Sequence, residues 1–377
     1  MISQRLTDFL EAEQPPSPCL VIDSQVVAEK YQALAALMPE SPIFYAVKAN
    51  PAPEILKVLV DMGASFDAAS LAEIDLVLQA GAKPEHISFG NTIKKERDIA
   101  AAFARGITLF AMDCPAEVEK IARAAPGASV FCRIQANGDG ANWSLGNKFG
   151  CPPDQATEIL KTADRLGLTA IGLSFHVGSQ QSDVSAFERS ISQAAQVFRA
   201  ASTEGLNLSL LNLGGGFPAN YLDPTPPLGD FATAIAAALN VHFGDAPPRT
   251  IIEPGRALVG DAGIIKSEIV LISRKSPDDD HRWVYLDIGR FGGLAETLDE
   301  AIRYPINSTL DGAATGPCIL AGPTCDSVDV LYEKSPYRLP LDLQVGQHLL
   351  IGATGAYTAS YASVGFNGFA PLHIIVI

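Results

Sequence analysis

The sequence predicts an α/β chain: a (β/α)8 barrel followed by a second, all-β domain. Between about residues 41 and 259, short apolar runs rich in β-branched and aromatic residues recur, and a helix-period segment follows most of them. There are eight such units in roughly 220 residues, which matches a barrel of ~250 residues better than an open doubly wound sheet. Beyond residue 260 the helical period fades, and strand-like segments alternate with Gly, Pro and Asp.

The eight predicted strands are SPIFYAVKAN (41–50), GASFDAAS (63–70), HISFGNT (86–92), ITLFAMDC (107–114), SVFCRIQA (129–136), AIGLSFHVGS (170–179), LSLLNLGGGF (208–217) and RTIIEPGRAL (249–258). In the first, Asn50-Pro51 ends the apolar run before the helical pattern EILKVLVDMG begins. Further helices are expected over 71–82, 95–106, 116–125, 154–167, 184–205 and 230–243, each joining one strand to the next. Past the barrel, IIKSEIVLISRK, RWVYLDIG, GPCILAGPTCDSVDVLY, GQHLLIGATGAYT and HIIVI read as strands of the second domain. The division expected is 25–258 for the barrel and 1–24 plus 259–377 for the β-rich domain, although the run PCLVIDSQVV is compatible with either.

Composition narrows the functional class. No segment has the ~18 consecutive apolar residues of a membrane span, and MISQRLTDFLEAEQ lacks the basic-then-apolar layout of a signal peptide, so a soluble cytoplasmic protein is expected. The six cysteines lack CxxC spacing and indicate neither a zinc site nor a disulfide framework, so no metal is expected. A net charge of −15 argues against nucleic acid or an anionic membrane as partner and suits a cationic small molecule.

In such a barrel the active site lies at the C-terminal ends of the strands, so the strand tips form the shortlist. They carry Lys48, Asp67, Arg133, His176 with Ser179, the triplet Gly214-Gly215-Gly216, and Glu253 with Arg256. A lysine is rarely fully buried without a partner, which makes Lys48 at the end of FYAV a residue in need of a reason. A glycine triplet after an apolar strand leaves backbone N–H groups open to an anion, and phosphate sites after the seventh and eighth strands recur in these barrels. The seventh strand carries the triplet here, and Arg256 follows the eighth. A lysine held unprotonated part of the time can form a Schiff base with an aldehyde. Pyridoxal phosphate supplies both aldehyde and phosphate and commonly needs an acid on its ring nitrogen, for which Glu253 is the candidate. His176 would lie against the ring face, while Arg133 and Asp67 set local charge. Taken singly, each has a plainer reading: Lys48 as a snorkelling surface lysine, His176 as a core histidine, Glu253 as the partner of Arg256, the triplet as a tight turn. As a set on consecutive strand tips they favour the cofactor.

The pieces FYAVKANP, SFDAAS, SFHVGSQ, LNLGGGFP, EPGRALV, GPTCDSVD and GAYTASYASVGFNGF, in this order over essentially the whole chain, resemble the fold-type III pyridoxal-phosphate decarboxylases of ornithine, lysine, arginine and diaminopimelate, whose barrel is alanine-racemase-like. The resemblance implies that Lys48 is the Schiff-base lysine, that His176 stacks on the ring, that Glu253 contacts the pyridine nitrogen, and that Ser179, Gly215, Gly216, Arg256 and Tyr357 hold the phosphate. It further implies a homodimer with shared active sites, in which the partner copy supplies Cys325 to reprotonate the substrate carbon and Asp326 to bind the far ammonium, with Phe366 at the same interface. Members that act on diaminopimelate carry an arginine before a Tyr-Glu-Ala stretch; here LAETLDEAIRYP has none ahead of Asp299-Glu300-Ala301, and the cysteine motif is CDSVD. Both departures point to a basic amino acid, with Asp299 and Glu300 as further carboxylates for its ammonium: ornithine first, lysine second, yielding putrescine or cadaverine for polyamine synthesis. A racemase on a related barrel and a catalytically dead homologue are the other classes; CDSVD speaks against the first and the intact Lys48, His176, Glu253 and Cys325 against the second.

Overall fold

The eight apolar runs become eight parallel strands: β1 (Phe44–Ala46), β2 (Ser65–Ala68), β3 (Ile87–Phe89), β4 (Leu109–Met112), β5 (Ser129–Arg133), β6 (Thr169–Ser174), β7 (Leu210–Asn212) and β8 (Arg249–Ile251). Each pairs with its neighbours in sequence order. Ile43 bridges Ile252 in parallel, and the Phe44 N–H donates to the Ile252 carbonyl at 2.8 Å, which brings the last strand back to the first. The computed structural model describes residues 2–143 and 148–377.

Both faces of these strands are covered, hence their continuous apolar runs. Phe44, Ala111, Phe131, Leu210 and Ile251, from five different strands, form one buried cluster. The helices Pro53–Asp61, Leu71–Gln79, Glu96–Ala104, Pro115–Ala124, Pro153–Arg165, Ser185–Thr203 and Leu228–Phe243 alternate with the strands as expected. Several begin with proline, whose missing N–H costs nothing in a first turn, and Ser70 caps Leu71–Gln79 by accepting from the Glu73 N–H at 3.2 Å. Not anticipated were the helices Gln4–Glu13 and Ser24–Leu37 before β1, and a short antiparallel ribbon of Ala141–Trp143 with Ser179–Gln181.

By their contacts, residues 28–218 and 225–257 form one unit, and residues 1–27, 219–224 and 258–377 another. The excursion at 219–224, which the sequence placed inside the barrel segment, is fastened to the β-rich unit. The Leu222 N–H donates to the Arg303 carbonyl at 2.9 Å, and the Asn220 N–H and Nδ2 donate to the Asp261 carboxylate at 2.9 and 2.7 Å.

The β-rich unit contains a sheet of nine strands among the described residues. Its run PCLVIDSQVV divides: Cys19–Ile22 is a strand of this unit, antiparallel to Gly263–Lys266 and parallel to His373–Val376, and the helix starts at Ser24. Leu6, Leu10, Cys19, Val21 and Ile264 form a buried cluster behind it. The sequence missed two short strands, Ile306–Ser308 and Tyr337–Pro340, which pair with His348–Gly352 and Thr315–Ala321. No helix among the described residues is long and apolar enough to cross a membrane.

Candidate active site

The site is built at the C-terminal ends of β1 to β8. Beyond β1 the chain coils into a single 3₁₀ turn, Val47–Ala49. Val47 and Ala49 are buried, and the Lys48 side chain, 44% exposed, lies with Nζ 3.4 Å from Asp67 Oδ2. Asp67, next to last in β2, is nearly buried; its Oδ1 accepts from Ser88 Oγ on β3 at 3.2 Å. The snorkelling reading therefore fails in one respect, since the amine is held against a buried carboxylate.

Glu253, just past β8, is the most perturbed acid on this rim. Burial, reinforced by the Asp67 carboxylate, pushes its carboxyl up to about 7, against the opposing pull of Lys48, an Asn212 hydrogen bond and Arg133. Asn212, fully buried at the end of β7, donates from Nδ2 to Glu253 Oε1 and accepts the Gly214 N–H on Oδ1 at 2.9 Å. Arg133, at the end of β5, has its pKa lowered by burial while Glu253, Asp67 and Asp113 favour its charge, and its guanidinium lies over the Phe149 ring at 5.3 Å.

His176 is held well below the usual imidazole range, first by burial and then by the Arg133 and Lys48 cations. Its Nδ1 accepts the Gly178 N–H at 3.1 Å, which fixes that nitrogen as the acceptor of a neutral ring. The glycine triplet packs directly behind it. A Cβ on Gly215 would lie 2.6 Å from the Glu253 carbonyl and 3.1 Å from His176 Nε2, and one on Gly216 would lie 2.5 Å from the Gly178 carbonyl. Gly214 and Gly216 also have left-handed backbones, φ 67° and 106°. Arg256, 3% exposed, donates from Nε and Nη2 to Ser179 Oγ at 3.2 and 3.1 Å.

Sequence reasoning overlooked Asn212 and Glu73. Glu73 accepts the Ala69 N–H at 2.7 Å and has its carboxyl raised by burial, with Lys48 and Asp67 close enough to act on it. The signal for Asn212 was a lone polar residue in LSLLNL; Glu73 looked like any first-turn acid.

The remaining candidates stand on the β-rich unit. Tyr357 is half-buried with a left-handed backbone, φ 53°. Cys325 is exposed, its N–H donating to Asn367 Oδ1 at 2.9 Å, and Asp326 beside it accepts the Val328 N–H at 3.0 Å. Phe366 is 37% exposed, its ring 4.7 Å from that of Phe291. Asp299 and Glu300 have partners within this chain: Asp299 pairs with Lys334 Nζ at 3.2 Å, and Glu300 Oε1 accepts the Lys334 and Ser335 N–H groups at 2.5 and 3.1 Å. Both have left-handed backbones, φ 54° and 63°, which breaks the short helical stretch 295–300 at this point.

The rim fits pyridoxal phosphate on its own geometry. It offers an amine at Lys48, a side-chain-free cradle at Gly215 and Gly216 with the Arg256–Ser179 pair, and at Glu253 an acid poised to share a proton with a basic ring nitrogen. Comparison with known proteins agrees. A family model for the pyridoxal-dependent decarboxylase, pyridoxal binding domain, matches residues 24–260. A lysine/ornithine decarboxylase from Selenomonas ruminantium is 34% identical over 360 residues, 95% of this chain and 89% of that protein. The solved lysine/ornithine decarboxylase of Vibrio vulnificus, complexed with cadaverine, superposes with a TM-score of 0.89 at 32% identity over 100% of both chains. The arginine decarboxylase of Paramecium bursaria Chlorella virus, bound to agmatine, gives 0.89 at 27% identity over 99% of both. With the family model covering more than half of its length and a relative matching nearly all of it, this chain belongs to the pyridoxal-dependent decarboxylases.

Proposed function

We propose that this protein decarboxylates a basic amino acid, L-ornithine first and L-lysine second, to putrescine or cadaverine. When bound, pyridoxal phosphate supplies the electron-poor ring that takes up the electron pair left on the α-carbon as CO2 departs. The rest falls to side chains of this chain. The Lys48 amine, held against Asp67, is the group that would anchor the cofactor's aldehyde and give way to the substrate's amine. Glu253, with a carboxyl pushed up to about 7, keeps a proton at the ring nitrogen, and Asn212 fixes its orientation. His176, kept neutral, would face the cofactor's ring without adding a positive charge beside it. Arg256, Ser179 and the amides of Gly215 and Gly216 would hold the phosphate. The exposed Cys325, from a second copy of the chain, delivers its Sγ proton to the α-carbon, and Asp326 binds the far ammonium.

What supports the substrate class is that, among the described residues, the cations near the 294–302 segment are already engaged within the chain, Lys334 by Asp299. The two arginines flanking the 294–302 segment are turned onto backbone carbonyls, Arg290 onto Thr297 and Val330, Arg303 onto Ser335. The exposed carboxylate of Asp326 suits an ammonium instead. The names of the relatives, which span ornithine, lysine and arginine, are consistent with a basic substrate. CO2 release measured side by side on ornithine, lysine, arginine and diaminopimelate tests this, with the first two expected to lead. One methylene discriminates by only ~1–3 kcal/mol, so both diamines are expected products. Faster turnover of diaminopimelate or arginine, or racemisation without CO2, would overturn the reading.

A further inference from the structure

The stretch GPTCDSVD ends in a second aspartate, Asp329, that no step above uses. Its carboxylate is 2% exposed and fully engaged in joining two segments of the β-rich unit. Oδ1 accepts the Arg290 N–H at 2.7 Å; Oδ2 accepts the Thr324 N–H at 3.2 Å and its hydroxyl at 2.7 Å. The Asp329 backbone closes the turn, donating to the Asp326 carbonyl at 3.1 Å and accepting the Gly322 N–H at 2.9 Å. Room for this carboxylate exists only because two neighbours are glycine: a Cβ on Gly289 would lie 2.2 Å from Oδ1 and one on Gly322 2.3 Å from Oδ2. Cys325 and Asp326 sit at the crest of the turn so clasped, exposed, with Asn367 holding the Cys325 N–H from the other side.

Three donors converge on one buried carboxylate, so the turn cannot swing without stranding buried N–H and O–H groups. We propose that Asp329 is a positioning residue: it sets where Cys325 Sγ and the Asp326 carboxylate stand, and ties them to the Arg290 segment that leads into 294–302. This rests on the reading of Cys325 and Asp326 as the substrate-facing pair.

The test uses the holoenzyme and the variants Asp329→Asn, Thr324→Val and Thr324→Ser. Asp329→Asn replaces an acceptor with a donor facing N–H groups, and kcat should fall about tenfold to a hundredfold, as small misplacements of reacting groups do. Thr324→Val, which keeps the amide and loses the hydroxyl, should fall about threefold to tenfold, and Thr324→Ser should restore wild-type turnover. Added to Cys325→Ala, Asp329→Asn should lower kcat no further, because the proton donor it places is already absent, while KM should still rise through the displaced Asp326; a merely structural defect would lower kcat again. Hydrogen exchange in the cofactor-free protein supplies a readout independent of activity: amides at 288–292 and 322–329 should exchange about tenfold faster in Asp329→Asn, and those elsewhere unchanged. Wild-type exchange in these segments, additive losses of kcat with Cys325→Ala, or unaltered kcat in a loosened turn would each overturn the proposal. Should Asp329→Asn not fold, the two Thr324 variants decide it alone. Wild-type kcat in Cys325→Ala would instead refute the substrate-facing reading, and the exchange data would still show whether Asp329 holds the turn.

Discussion

Glu253 shows how much one residue's chemistry depends on what the fold puts around it. Its carboxyl is raised from 4.5 to about 7, chiefly by burial, so the folded, cofactor-free protein prefers it protonated. A folded value above the unfolded one contributes stability that is fully present below about 4.5 and is lost as pH rises through about 7. His176 works in the opposite sense: its folded value is depressed below 6.5, so its contribution is present above 6.5 and lost as pH falls. Urea unfolding of the cofactor-free protein from pH 5 to pH 8 should therefore show a decline in Glu253 that is missing in Glu253→Gln, with the difference between the two isolating this group. The same variant should keep its fold and lose about 10²–10⁴-fold in turnover, the range for a missing general acid. Near-wild-type turnover would reduce Glu253 to a structural partner of Asn212. That Glu253 and Lys48 merit attention was legible from their strand tips alone. Asn212, Glu73 and Asp329 were not, because their role lies in their partners: Asn212 matters through Glu253 and Asp329 through Arg290, both about forty residues away in the chain.

Between β7 and the segment after it, the glycine triplet is a piece of backbone shaped by what packs on it. Gly215 has no left-handed φ, so an alanine there meets contact instead of torsional strain: the Glu253 carbonyl at 2.6 Å and His176 Nε2 at 3.1 Å. The histidine can yield, but the carbonyl is backbone, and overpacking of this kind costs ~1–3 kcal/mol. Gly215→Ala should weaken cofactor binding by about fivefold to a hundredfold, read as loss of cofactor on dialysis, since 1.4 kcal/mol is a factor of ten in an equilibrium constant. Gly312→Ala is the control: nothing lies within 4 Å of its Cβ, but φ is 94°, so it should lower Tm and leave cofactor retention unchanged. Equal retention in both would remove the triplet from the cofactor site. At this scale the eight strands were readable because strands covered on both faces are apolar throughout, and each is followed by a helical period. Long-range pairing was not: Cys19–Ile22 lies parallel to His373–Val376 at the far end of the chain, and no local pattern records that. The break at Asp299-Glu300 was equally hidden, since neither residue carries the glycine that usually marks a left-handed backbone, and Lys334 and Ser335 supply the partners that hold it.

For the whole molecule, the decisive question is how many chains build one site. The β-rich unit exposes large apolar side chains that a lone chain would gain by covering: Val328 at 52%, Val364 at 84%, Phe366 at 37% and Phe369 at 46%. Phe366 and Phe369 also line a cavity of about 790 Å³ with Phe291, Thr324 and Leu372. Cys325 is exposed on this same unit, and the proton-donor role proposed for it would be of little use in bulk solvent, so that role asks for a partner surface. If a second copy of the chain provides that surface, each site takes Lys48 from one chain and Cys325 from the other. Lys48→Ala and Cys325→Ala homodimers should each be nearly inactive, and borohydride should label Lys48 in the second and no lysine in the first. When the two are mixed and allowed to exchange, half of the dimers are mixed, and each mixed dimer has one site with both residues intact and one with neither. Activity should recover to about a quarter of wild type, the fraction set by random pairing in a twofold dimer. Subunit exchange verified by mass, with no recovery of activity, would mean that each chain completes its own site, and the exposed turn at Cys325 would then need a different occupant.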